Sequence, residues 1–128
     1  ASRPAPGREA DNGVSEILAV NDHQVLVVER AGVENADGIY TNHVRVYEME
    51  TQGATDIASI PALAGAAYVP ARKRLLLDLE RIGLARVDNI EGISWGPRLA
   101  NGRRSLVMIS DDNFNAQQVT QILAFEVL

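Results

Sequence analysis

Two stretches of this chain spell the same order of short apolar segments and turns, and such a repeat restricts the fold more than any composition does. In the first half, VSEILAV (14–20) leads through Asn21-Asp22-His23 into QVLVVER (24–30). A loop rich in Gly, Asn and Asp follows, and then HVRVYEME (43–50). In the second half, IEGISWG (90–96) leads through Asn101-Gly102 into SLVMISD (105–111), then a polar loop and TQILAFEV (120–127). A polar break between two apolar runs is a hairpin signal, and Asn-Gly is a strong one because both residues tolerate positive φ. Short antiparallel strands repeated as a unit are the pattern of β-propeller blades. The middle segments, VLVV and LVMI, are apolar at successive positions instead of alternating. That predicts strands covered on both faces, as when blades stack.

The expected architecture is therefore all-β: two blades of antiparallel, four-stranded sheets, the C-terminal pair of a larger propeller. Blade A spans about 13–79 and includes KRLLLDL (73–79) as its fourth strand. Blade B spans about 88–128 and runs out after three strands, so it would lack a closing strand from elsewhere. Residues 1–12, with two prolines, a glycine and no apolar period, read as a linker or tag remnant. Strand structure is expected from about Val14. Residues 51–72, broken by Pro61, Gly65 and Pro70, read as a long surface loop with at most one short strand, and 80–87 as a turn-like piece. A helix from Asn115 fails because Ile122, Leu123, Phe125 and Val127 make no stripe at 3.6 residues.

Composition narrows the function. The 128 residues carry 46% apolar side chains and a formal charge of −5. An acidic chain with scattered basic residues is a poor partner for nucleic acid or anionic membranes. No cysteine is present, which removes disulfides, thiolate metal sites and a cysteine nucleophile. No apolar run approaches the ~20 residues of a membrane span.

The segments NGVSEILAV (12–20), VLVVER (25–30), VRVYEME (44–50), GATDI (53–57), RKRLLLDL (72–79), DNIEGISWGPRL (88–99), NGRRSLVMISDDNFN (101–115) and TQILAFEV (120–127) resemble the C-terminal part of the phytase-like domain. The family is found in bacterial proteins and is labelled "esterase-like activity of phytase". The pair DNIEG and SDDNFN, in that order, is its most specific part. The resemblance implies a propeller, members that are periplasmic or secreted, several blades upstream of this region, and a hydrolase acting on phosphate esters.

The best candidate site is a cluster of carboxylates and amides. Side chains that offer only oxygen suit a hard cation such as Ca²⁺. The expected ligands are Glu16, Asp88, Asn89, Glu91 and Asp111. Glu91, Asp111 and Asp112 are the catalytic candidates, and Arg30 and Asn113 the substrate contacts, with metal ions clamping phosphate oxygens and activating water. The repeat sets Glu16 opposite Glu91 and Arg30 opposite Asp111, all expected at one mouth of the channel. The competing view is that Asp and Asn here only cap their own loops, which leaves a non-catalytic, ligand-binding or structural propeller holding a structural cation.

Other motifs carry less. Asp111-x-Asn113-x-Asn115 opens like an EF-hand, but Ala116 stands at the required glycine and Ile122 at the required glutamate. Gly92-Ile93-Ser94-Trp95-Gly96 spells a nucleophile elbow, yet Pro97 follows in place of a helix and no histidine lies beyond His43. His23, His43, the run Arg72-Lys73-Arg74 and Arg103-Arg104 read as solvated, and Trp95 and Phe125 as core. A two-blade unit exposes blade faces, so self-association or pairing with upstream blades is expected.

Overall fold

The computed structural model describes residues 4–128. β1 (Ala10–Ala19), β2 (Gln24–Glu34), β3 (Tyr40–Glu50) and β4 (Arg72–Asp78) form one antiparallel sheet in chain order. β5 (Ile90–Trp95), β6 (Ser105–Ser110) and β7 (Ile122–Glu126) form a second. A single 3₁₀ turn, Leu79–Arg81, leads from the first sheet toward the second, with the Asp78 side chain capping it through the Glu80 amide. No helix among the described residues is long and apolar enough to cross a membrane.

One core lies between the sheets. Leu26, Val28, Val44 and Val46 of the first sheet meet Ile90, Leu106 and Met108 of the second, with Leu79 of the 3₁₀ turn sealed among them. The period of two along each strand makes this possible, since alternate side chains share a face. Trp95 ties the sheets at one end: its Nε1 donates to the Ala19 carbonyl at 2.9 Å while the Arg104 guanidinium stacks on its ring at 3.6 Å. Trp95 and Phe125 are half-buried against the core, as expected. Arg104 is not the solvated flank the sequence suggested, and Arg103 pairs with Glu126.

Several expectations need correction. The first strand begins at Ala10, inside the stretch expected to be linker. Backbone pairing needs no apolar period, and here the Asp11 carboxylate accepts from the Gly32 amide at 3.2 Å. A Cβ at Gly32 would lie 2.9 Å from Asp11 Oδ1, so glycine makes that seat. In the second sheet's hairpin only Gly102 takes positive φ (81°). Leu99 and Arg103 close a three-residue loop, in which Asn101 Oδ1 accepts from the Arg103 amide at 3.0 Å. Residues 51–71 hold no strand, and Thr55 and Val69 bridge that loop. The run LVMI is covered on one face only: Leu106 and Met108 are buried, but Ile109 is 44% exposed.

Candidate functional site

Each sheet has one end where β1, β3, β5 and β7 begin and β2, β4 and β6 finish, and at this end a cleft of about 1570 Å³ opens between the sheets. Arg30, Tyr40, Glu80, Arg86, Asp88 and Asn89 line it, together with amides of the loop after β6.

Asp88 is the most constrained of these. Its carboxylate is 1% exposed yet accepts from the Asn89 amide and the Val119 amide, each at 2.8 Å, and pairs with Arg86 at 2.9 Å. Its own amide donates to Gln121 Oε1, and Gln121 Nε2 returns to the Arg86 carbonyl. Ser110 Oγ completes the lattice by donating to the Val119 carbonyl and accepting from the Gln121 amide. Asp88 therefore fastens the 86–89 segment to 119–121, and both its oxygens are occupied.

Glu91 is exposed for a local reason. Between Ile90 and Gly92 the ladder with β6 slips by one residue, so Glu91 is the extra residue of a bulge. A bulge turns its extra residue out of the pairing, and such irregularities often aim a side chain at a site. Gly92 permits it, because a Cβ there would lie 2.8 Å from Ile109 Cγ2. Glu91 accepts from Asn89 Nδ2, which leaves Asn89 Oδ1 buried without a hydrogen-bond partner.

β1 carries the same irregularity between Val14 and Glu16. Superposing the two bulges puts Ser15, not Glu16, at the place of Glu91, while Arg30 does match Asp111. Glu16 points away from this role and accepts from the Ile17 amide at 2.9 Å.

Asp111, Asp112 and Asn113 stay on their own loop. Asp111 accepts from the Asn113 amide at 3.3 Å and Asp112 from the Phe114 amide at 3.0 Å. Asn113 and Phe114 both have left-handed backbones, φ 50° and 55°, so these carboxylates hold a costly turn in shape. The structure thus brings Arg30, Asp88 and Asn89 to one cleft and sets Glu91 beside Asn89; Asp111, Asp112 and Asn113 bond within their loop. Among the described residues no three carboxylate, imidazole or thiol groups gather closely enough to hold a metal ion. The donor set as it stands does not fit a caged cation.

Two groups escaped the sequence reading. His43 is not a solvated histidine: it is half-buried, with Nδ1 2.8 Å from Glu80 Oε1, a close contact not aligned as a hydrogen bond. Tyr40 borders the cleft, where lost hydration and then the charges of Glu34, Glu9 and Asp11 raise its phenol above the usual range. His43 meets a partner thirty-seven residues away, Tyr40 is reached by Glu9 and Asp11 from the start of the chain as well as by nearby Glu34, and neither follows a motif. Ser94 donates from Oγ to the Trp95 carbonyl at 3.3 Å, and no helix follows it.

Among comparisons with known proteins, no curated protein and no solved structure matches the chain. The family model "Phytase-like: Esterase-like activity of phytase" matches residues 2–114, including β1 to β6 and the whole cleft lining as far as the loop after β6. With that span of the chain matched, the protein belongs to the phytase-like family.

Proposed function

We propose that the two sheets are neighbouring blades of a β-propeller whose shared polar end takes part in metal-assisted hydrolysis of phosphate esters. The observation that carries this reading is the family match over residues 2–114. The propeller part is supported by the face-to-face core, by the approach of β1 to β5, and by the matching bulges. A periplasmic or secreted location is part of the same proposal and rests on the family alone.

Arg30 is the phosphate contact. Arg8 and Arg86 each hold two acceptors already, whereas Arg30 has one partner, Asp11, at 3.4 Å. That loose pair can exchange for a phosphate oxygen. Three arginines face four carboxylates in the lining, Glu9, Asp11, Glu80 and Asp88, so the cleft suits an ester with one phosphate better than a densely phosphorylated one. Glu91, Asp111 and Asp112 are the proposed carboxylates of the reaction, with Asn113 as a substrate hydrogen-bond donor. With no protein cage for a cation among the described residues, a metal would be held by Glu91 together with oxygens of the substrate and water; such oxygen donors favour calcium over a softer metal, and it would neutralise phosphate charge. Glu91 is the carboxylate with least to give up in meeting it.

A second reading, a non-catalytic ligand-binding propeller with a structural cation, is favoured by one observation: Asp88, Asp111 and Asp112 all serve backbone amides. Hydrolysis of p-nitrophenyl phosphate with and without calcium separates the two. Turnover that falls at least tenfold in Glu91→Gln and in Arg30→Gln is the expected result. Calcium raising Tm with no turnover would overturn the hydrolase reading in favour of the second.

A further inference from the structure

The alternation that sends Val28, Val44 and Val46 into the core continues along β2 and β3 into the cleft. It sets Arg30, Gly32, Asn42 and Tyr40 on the same face, beyond the last core residues. Gly32 is the bare floor among them. The point that a Cβ on Gly32 would occupy lies 2.9 Å from Asp11 Oδ1, 3.4 Å from Tyr40 Cδ1 and 3.8 Å from Arg30 Nη1. A carboxylate, an aromatic ring and a guanidinium therefore meet over one spot free of side chain. All three line the cleft, and Tyr40 keeps 49% of its surface exposed there. An aromatic side chain left this open at a polar strand end contributes little to the core, but its ring is in place to meet a ligand.

Charge balance says what kind of ligand. Asp11 has two partners: Oδ1 accepts from the Gly32 amide at 3.2 Å, and Oδ2 meets Arg30 at 3.4 Å. When Arg30 exchanges Oδ2 for a phosphate oxygen, the amide still holds Oδ1. The carboxylate then stays beside Tyr40 with its cation gone. The Tyr40 phenol already registers negative surroundings, since lost hydration and then the charges of Glu34, Glu9 and Asp11 raise it. A positive group restores the balance, and the face of an aromatic ring attracts one. An ester that carries its own cation satisfies both ends at once, with phosphate on the guanidinium and the cation against the ring and the freed carboxylate. Because ring and guanidinium both lie within 3.8 Å of the Gly32 spot, a short linker spans them.

We infer that the cleft takes the phosphate ester of a short amino alcohol, with its ammonium group seated between the Tyr40 ring and the Asp11 carboxylate. The inference rests on the reading of Arg30 as the phosphate contact. Tyr40 and Asp11 touch the alcohol part of the ester and set specificity; neither meets the reacting bond. A zwitterionic ester also suits the rest of the lining. Glu9, Asp11, Glu80 and Asp88 outnumber the three arginines there, and they repel a plain phosphate ester more than one carrying a compensating positive charge.

Titration calorimetry compares phosphocholine with its carbon isostere, in which a tert-butyl group replaces the trimethylammonium; inorganic phosphate and choline are titrated separately. Wild type should bind phosphocholine about tenfold more tightly than the isostere. Tyr40→Leu and Asp11→Asn should bring the two esters level, whereas Tyr40→Phe, which keeps the ring, should retain the preference. Arg30→Gln should weaken both esters alike and leave their ratio unchanged. Cooperative melting checks that the variants fold, and where one does not, the wild-type comparison decides. Equal affinity of wild type for the two esters overturns the inference and leaves Arg30 in its role. So does a preference that survives Tyr40→Leu in a folded protein. Choline binding that depends on Tyr40, with no binding of inorganic phosphate or of either ester, overturns the phosphate reading and supports the ammonium seat alone. Binding of none of the four overturns both.

Discussion

Replacing Asp88 by alanine removes three acceptor contacts at once: those to the Asn89 amide, the Val119 amide and the Arg86 guanidinium. A hydrogen bond to a buried charged group contributes roughly 1.5–3 kcal/mol, and breaking a buried pair costs about 3–5 kcal/mol. The three losses do not add. Val119 is 37% exposed and the Arg86 side chain 47%, so water takes over part of what the carboxylate supplied. An expected cost of about 3 kcal/mol follows, which lowers Tm by on the order of 10 °C in a domain of this size. Urea titration followed by Trp95 fluorescence reads it, since that indole sits between the sheets. The measurement is made in chelator and again in calcium. A bond lattice within the protein predicts the full loss in chelator. A loss below about 0.5 kcal/mol, or one seen only when calcium is present, would refute the fastening role and return Asp88 to the set of metal ligands.

Two further outcomes are expected. Burial tends to raise the Asp78 carboxyl, but the hydrogen bonds from Arg45 and the Glu80 amide, with the charges of Arg45 and Arg81, outweigh it and hold it below the ordinary aspartate value. A depressed folded value contributes stability above the unfolded value near ~3.9 and loses it as pH falls through the folded one, so Asp78→Asn should flatten the acid limb of a Tm–pH curve below about pH 4; an unchanged limb would refute this. A fluorophosphonate probe should leave Ser94 unlabelled, because its hydroxyl meets only the Trp95 carbonyl; a labelled peptide containing residue 94 would revive an acyl-enzyme esterase.

The strands were legible wherever apolar side chains report them. VLVV, HVRVYEME, LVMI and ILAFE carry their own signal, and β2, β3, β6 and β7 fall on them. The start of β1 was not legible, because residues 10–13 pair through the backbone while their side chains stay exposed. A bulge is invisible in the same way. It inserts one residue without changing the apolar pattern, so the repeat in the sequence aligns Glu16 with Glu91, although Ser15 holds that place. Of the candidate site residues, Arg30, Asp88 and Asn89 line one cleft. That Asp88 is a fastener depends on Val119, thirty-one residues later. Likewise the meeting of His43 with Glu80 follows from where β4 ends.

The paired bulges separate what the repeat conserves from what it leaves free to change. The row Ile93–Met108–Leu123 packs against the first sheet, and the matched row Ile17–Val27–Tyr47 of the first sheet is apolar as well. The bulged residue takes no part in those rows, although Ser15 Oγ is itself buried. One copy of the repeat puts serine there and the other glutamate. Arg30 and Asp111, one step past matched ladder positions, differ in charge for the same reason. Chemistry can therefore vary at the bulge and at the strand ends without disturbing the core between the sheets. Function rests on the groups at the cleft and not on the fold that carries them. That places the burden of any assigned activity on Glu91 and Arg30 and not on the apolar segments that identify the family.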